Sequence, residues 1–376
     1  MLYTRYKHSN YFSNIEPAYI GTAQCESLSS YLCRLGKAHC ITVRNLIDYG
    51  IIPILNGTSS DEYKKARGIG FYKWSQIDGK GVIASNFVQA VEQMTLRNDI
   101  RFTTLIGLKE VLPDKGLLRQ KRAWCPLCLE DELCRGLEIT EPLLWKLNIV
   151  KICSVHEVMI EEYCPYCGKS SSVYNQKQNG FCSYCNSWLG SNIYKPAKYD
   201  DNDSYVAQEL GDLISLMPKT RLLMTKESLH SSIKTIVYKL TQGKIKTLSR
   251  LLHIPPITLR GWYKGEHIPE LAYSLELCRK CHISINNFLS GNVDSIILEK
   301  NHAKFIKNRT QRRKINWHEI GRLLQIKVRE IKKIRSIKKA ANILSVDRRA
   351  LVRNFPQMCE SLKTKKNNIL LKGCQQ

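Results

Sequence analysis

The chain has 376 residues, 43% of them hydrophobic, and a net charge of +25, which leaves room for roughly two to four domains with buried cores. No apolar run approaches the roughly eighteen residues that a membrane span needs. Residues 1–20 carry Arg5, Lys7 and Glu16 without an apolar centre, so the expectation is a soluble, cytoplasmic protein with neither targeting segment nor membrane partner. The charge is uneven: from residue 201 onward 34 Lys and Arg stand against 14 Asp and Glu, with 24 against 19 before it. Such a field attracts polyphosphates and suits a nucleic-acid surface.

Residues 1–120 read as a small, mostly helical domain. Leu28, Tyr31, Leu32 and Leu35, then Val43, Leu46, Ile47 and Ile51, recur at helical spacing; Ser27 or Ser29 is placed to cap the first helix and Gly36 to end it. Asn56-Gly57 and the stretch from Gly68 to Gly81 are rich in turn formers. Phe87, Val88, Ala90, Val91 and Met94 then mark another amphipathic helix.

Residues 121–194 hold eight candidate metal ligands in pairs: Cys125 with Cys128, Cys153 with His156, Cys164 with Cys167, and Cys182 with Cys185. Two intervening residues let one tight turn aim two side chains at one ion, and two such turns close a four-coordinate shell. The expectation is two structural Zn2+ ions in two zinc-ribbon or knuckle modules. A catalytic zinc would keep a position open for water, and here sulfur and imidazole fill every place. Pro126, Pro165 and Gly168 are turn formers, and metal capture contributes roughly 10–16 kcal/mol to folding such segments. The spacings admit sequential pairing, with Cys125, Cys128, Cys153 and His156 at one ion, or an interleaved cross-brace. Cys134 is a possible substitute in the first site. Disulfides are the competing use of these cysteines, disfavoured in a chain that reads as intracellular.

Residues 195–204, with Pro196, Asp200, Asp201, Asn202 and Asp203, form a polar break that reads as a linker. Beyond it the pattern is helical and contains two helix-turn-helix candidates, at 205–295 and 305–376. In the first, Ile245, Leu248, Leu251 and Leu252 share a face, Ile254-Pro255-Pro256 stops the helix, and a second helix runs from about Ile257 to Lys264 and ends at Gly265. Leu259 and Trp262 face the core, which leaves Thr258, Arg260 and Lys264 as outward DNA contacts. A third helix from Leu271 through Leu277 completes the unit. In the second candidate, Ile337, Ala340, Ala341 and Leu344 form the first apolar face, and Ser345-Val346 make the turn. Asp347 caps a helix running to Phe355, and Pro356 ends it. Leu351 and Phe355 point inward; Arg348, Arg349 and Arg353 point outward, where arginine commonly reads guanine. The connector residues Arg309, Arg312, Arg313, Lys314, Arg329, Lys332 and Lys333 are suited to phosphates. The fold class is therefore mostly α and multidomain.

Catalytic motifs are missing: there is no GxxxxGK[ST] loop, HExxH helix or nucleophile elbow, and the acids show no grouping for a nuclease or transposase site. No catalytic residue is assigned, and His156 is read as a ligand rather than a base. A scaffold whose helix-turn-helix units contact protein is one competing reading. An RNA-binding zinc protein is another, disfavoured because the aromatics are not clustered on a stacking platform.

The run from Arg119 through Trp124 to Cys128, then Leu144-Trp145, Cys153-Ser-Val-His156, Cys164-Pro-Tyr-Cys167 and Cys182-Ser-Tyr-Cys185, resembles the zinc-binding core of the TniQ/TnsD proteins. The stretch from Glu26 to Gly36 resembles that family's opening helix, so the likeness covers roughly residues 20–190. It departs at Lys146, where many members carry another residue. The resemblance implies a target-selection subunit of a bacterial transposon that neither cuts nor joins DNA and recruits an AAA+ ATPase regulator, which in turn brings the transposase. Longer members with C-terminal DNA-binding units recognise an attachment site in double-stranded DNA; short ones ride on a CRISPR effector complex. Cytoplasmic, nucleoid-associated localisation in a bacterium follows from the same likeness.

Overall fold

The computed structural model describes residues 12–57, 76–171, 176–193, 200–219, 224–293, 296, 321–322, 348–358 and 360. The chain divides into two compact units, Met1–Ala303 and Lys304–Gln376. The architecture is mostly helical: among the described residues there are only isolated β-bridges and no sheet. No helix among them is long and apolar enough to cross a membrane.

Ser27 caps the first helix, α1 (Leu28–Ala38), by accepting the Ser30 N–H. Contrary to the sequence expectation, Gly36 does not end it. The helix runs two residues further and closes at Cys40, whose φ of 52° lets the Ile41 N–H reach back to the Gly36 carbonyl and the Cys40 N–H to that of Lys37. Gly36 is needed for close approach instead, since a β-carbon there would stand 2.9 Å from the Ile41 carbonyl oxygen. The next helical stretch starts as α2 (Val43–Asn45), loosens to a π-helical segment at Leu46–Ile51 and tightens again as α3 (Ile52–Gly57). Pro53 has no N–H to give the carbonyl of residue 49 and its ring crowds that group, which explains a widened turn before it. Leu28, Tyr31, Leu32 and Leu35 meet Leu46, Ile47 and Ile51 and the buried face of α4 (Val82–Thr95), namely Phe87, Val88, Ala90, Val91 and Met94.

From residue 118 to 193 the described chain is largely irregular, held by single bridges such as Leu118 with Leu147 and Trp124 with Glu161. What it buries is polar as well as apolar. Glu141, without exposed surface, receives Arg122 Nε at 2.7 Å, Lys146 Nζ at 2.9 Å and the Gln176 amide at 3.0 Å. Burial alone would raise the Glu141 carboxyl, yet Arg122 and Lys146 hold it down at about 2. Asn179 donates to the Ser30 hydroxyl at 2.8 Å and to the Ile139 carbonyl at 2.9 Å, tying this segment to α1. Lys146, the position where the family likeness departs, is thus one arm of a buried ionic cluster.

Of the polar break at 195–204, residues 195–199 lie outside the described residues, and 200–204 differ from expectation. Asp200 caps α6 (Asp201–Leu216), its side chain accepting the Asp203 N–H, so the acids open a helix rather than form a linker. Carboxylates suit a helix N-terminus, where unpaired N–H groups face them. This helix packs on Leu143–Lys146, and Lys151 pairs with Asp203 at 2.9 Å. Then come α7 (Lys226–Thr241), α8 (Ile245–Leu252), α9 (Pro256–Tyr263), α10 (Leu271–Cys281) and α11 (Ile285–Ser290), following α5 (Pro126–Cys134) in the middle segment. Unit Lys304–Gln376 includes α12 (Arg348–Asn354).

Candidate metal centres and nucleic-acid interface

Two groups of ligand atoms converge, each within 4.8 Å of one another: Cys125, Cys128, Cys153 and His156 in one, Cys164, Cys167, Cys182 and Cys185 in the other. The pairing is sequential. Three of the four pairs sit on turns of one design. At Cys153–His156, Cys164–Cys167 and Cys182–Cys185 the residue after the second ligand has positive φ, at Glu157, Gly168 and Asn186. Its N–H bonds the carbonyl of the first ligand at 2.9 to 3.0 Å, and the first ligand's N–H bonds a carbonyl five residues on, at Val158, Lys169 and Ser187. Only Gly168 adopts that backbone without a Cβ penalty. The fourth pair departs from the tight turn expected of it. Cys125 is the N-cap of α5, Pro126 takes the first helical place, and Cys128 stands in the first turn. A helix N-terminus favours the thiolate that a metal needs.

The spacing of the donors fits a tetrahedral ion. Zinc–sulfur bonds of about 2.3 Å place neighbouring sulfurs about 3.8 Å apart, and a sulfur and an imidazole nitrogen about 3.5 Å apart. Cys128 and Cys153 sulfurs stand 3.5 Å apart, Cys164 and Cys185 3.6 Å, Cys167 and Cys182 3.8 Å. His156 Nδ1 lies 3.2 to 3.8 Å from the three sulfurs of its cluster. Its Nε2 faces Asp131 Oδ2 at 2.9 Å, the outer carboxylate that fixes a ligating imidazole's tautomer. Both clusters could therefore hold a metal ion. Crowding separates the thiols: Cys153, approached by Cys125 and Cys128, is held down at about 2, whereas the same kind of contact pushes Cys128 up. Three sulfurs this close ionise together only around a cation. In the second cluster the Ser187 hydroxyl and N–H bring Cys185 down to about 6. Cys134, weighed as a substitute ligand, is exposed with its sulfur 3.9 Å from Glu130 and lies outside both groups.

Sequence reasoning passed over three features here. Asp131 is one helical turn from Cys128, a spacing that could have flagged it. Glu130 accepts the Trp188 indole N–H at 2.7 Å and so joins the two modules. Tyr163, Tyr166 and Tyr184, all at least half exposed, adjoin ligands of the second cluster in sequence, with Lys121 and Lys169 over the rings of the first and last. Separation along the chain hides that grouping.

In the first helix-turn-helix candidate, α8 and α9 pack on each other and both on α7. The bundle around them is thus completed by the helix before the pair. The one after it, which extends to Cys281 rather than Leu277, packs mainly on α11 and touches α9 through the Trp262 and Tyr273 rings, 5.4 Å apart. Leu248, Leu252, Leu259 and Trp262 are buried, whereas Leu251 is exposed and off the apolar face. Arg260 and Lys264 are exposed, and Lys264 reaches Glu266 at 3.6 Å; Thr258 is half-buried rather than outward. The second candidate belongs to the other compact unit. There, Leu351 is buried and Arg349 and Arg353 are exposed on α12, with Phe355 half-buried. The helix stops at Asn354, one residue before the expected end. The Arg348 side chain, Asp347, Ile337, Ala340, Ala341, Leu344 and the connector arginines and lysines lie outside the described residues.

Two comparisons with known proteins bear on this geometry. The family model TniQ matches residues 17–160, from the start of the N-terminal helical core through the first cluster, and ends before the second. None of the curated proteins matches the chain.

Proposed function

We propose that this chain, which carries a TniQ-family domain over residues 17–160, is a non-enzymatic target-selection adaptor of a bacterial transposon. In this reading it grips double-stranded DNA with its C-terminal helical units and recruits an AAA+ ATPase regulator, which brings the transposase. Cys125, Cys128, Cys153 and His156 hold one structural Zn2+, and Cys164, Cys167, Cys182 and Cys185 a second. The observation that carries it is the family match over a domain whose four-donor cluster leaves no place for a reacting water. The supporting feature is charge: residues 304–376 contain 21 Lys and Arg against 4 Asp and Glu. The domain division at 1–120, 121–194, 205–295 and 305–376 belongs to the same proposal, as do Arg260, Lys264, Arg348, Arg349 and Arg353 as DNA contacts.

Elemental analysis of the pure protein tests the metal part: two equivalents of zinc per chain are expected, and cysteines found as cystine would overturn it. Selection of duplexes from a random pool, followed by sequencing, tests recognition. One enriched motif, bound with a steep dependence on salt, is the expected outcome. A second reading, a TniQ-type scaffold on an RNA-guided CRISPR effector complex, draws on residues 201–293, where 12 basic residues against 8 acidic ones give little phosphate attraction. It predicts no enriched motif, together with capture of the effector that survives nuclease.

A further inference from the structure

The outward face of α9 carries Arg260 and Lys264, and Ile257 beside them. At about 100° per residue, Ile257, Arg260 and Lys264 fall within roughly 60° of one another on a helix, opposite the buried Leu259 and Trp262. Thr258, a quarter-turn round, is half-buried. Ile257 therefore takes the place near the helix entry that Thr258 was expected to fill, and it is 80% exposed. Singly exposed apolar residues are ordinary. This one differs in its neighbours: it shares its outward helix face with the exposed Arg260 and Lys264, the latter already engaged by Glu266.

A protruding branched alkyl group beside two exposed basic side chains complements one surface in particular. Duplex DNA offers phosphates at the groove edges and, within the major groove, the thymine 5-methyl as its apolar feature. A second helix of such a pair lays its N-terminal residues on base edges. We propose that Ile257 is a specificity residue that packs on a thymine methyl in the major groove, with Arg260 and Lys264 on the flanking phosphates. This rests on the direct-binding reading above and adds to it the base class that is read.

The test replaces each thymine of a duplex selected by the full chain with uracil, which removes only the methyl. Wild-type protein should lose roughly fourfold in affinity at one or two positions, the value of burying about one methyl group. Ile257→Ala should bind the thymine and uracil duplexes equally, with its salt dependence unchanged, whereas Arg260→Ala should lower the salt slope by about one. Ile257 is exposed, so the alanine variant should keep wild-type circular dichroism and metal content. Sequence-specific binding that ignores every thymine-to-uracil change, or an Ile257→Ala variant that keeps the discrimination, overturns the inference and leaves direct binding intact. Absence of any selected duplex removes both.

Discussion

Replacing Glu141 with Gln keeps the shape of the buried cluster and removes its negative charge, leaving Arg122 and Lys146 facing each other without a counter-ion. The carboxyl has no exposed surface, so solvent screens little. Its pKa of about 2 against about 4.3 in the unfolded chain corresponds to roughly 3 kcal/mol at 1.36 kcal/mol per unit. Loss of one partner from a buried pair costs about 3–5 kcal/mol by another route, so the two figures agree. Because the folded pKa is depressed, this stabilisation is fully present above about pH 4.3 and is lost as pH falls towards 2. The gap between Glu141→Gln and wild type should therefore be flat from pH 8 to about 5.5. In urea, with a slope of about 1–3 kcal/mol per molar, the midpoint should fall by about 1 M or more. A matched apolar triple, Arg122→Met with Glu141→Leu and Lys146→Met, should recover most of the loss, because it leaves no charge unpaired. A Gln variant within about 1 kcal/mol of wild type at pH 7, or a gap that varies with pH in that window, would refute the ionic account.

Glu132 shifts the other way: burial raises it to about 7 although it accepts from Thr140. Since the folded form holds its proton longer, stability should decline as pH rises from about 4.3 through 7, by at most about 4 kcal/mol. Glu132→Gln should flatten that limb in urea titrations at several pH values, and an unchanged slope counts against the assignment. Asp131→Ala frees the His156 imidazole from its outer partner, so one of two metal equivalents should pass to a competing chelator with affinity weakened about 10–100-fold. Retention of both equivalents at wild-type affinity contradicts this. Gly180→Ala adds a β-carbon into the Trp188 ring at a φ of 76°, and a loss of about 1–3 kcal/mol in thermal or urea unfolding is expected. Wild-type stability would show that the Trp188 ring moves aside freely.

The helical core of the N-terminal domain is legible from periodicity, because Leu28, Tyr31, Leu32 and Leu35 announce a buried face that any partner must cover. The eight metal donors are legible from spacing, although their division into two groups is not: two-residue gaps are equally satisfied by crossed and uncrossed pairing, and only the backbone closes one of them. Gly36 misled because a glycine near a helix end has two uses, left-handed backbone and close packing, which look alike in sequence. Asp200–Asp203 misled because acids that break a pattern also cap a helix. On α9 the expected Arg260 and Lys264 are exposed, whereas the exposure of Ile257 beside them goes unweighed, because the pattern marks only Leu259 and Trp262. Long-range polar contacts such as Asn179 with Ser30 leave no local trace, and the ionic cluster around Glu141 shows in sequence only as ordinary charges.

Uncrossed pairing has a consequence for biosynthesis. Cys125 and His156 are 31 positions apart and Cys164 and Cys185 are 21, so each ring is complete soon after its last donor leaves the ribosome. The first can fill before the second has emerged. By contrast the Asn179 tether to Ser30 spans 149 positions. A nascent chain would thus acquire two small rigid beads in succession and fasten them to the waiting N-terminal helices afterwards.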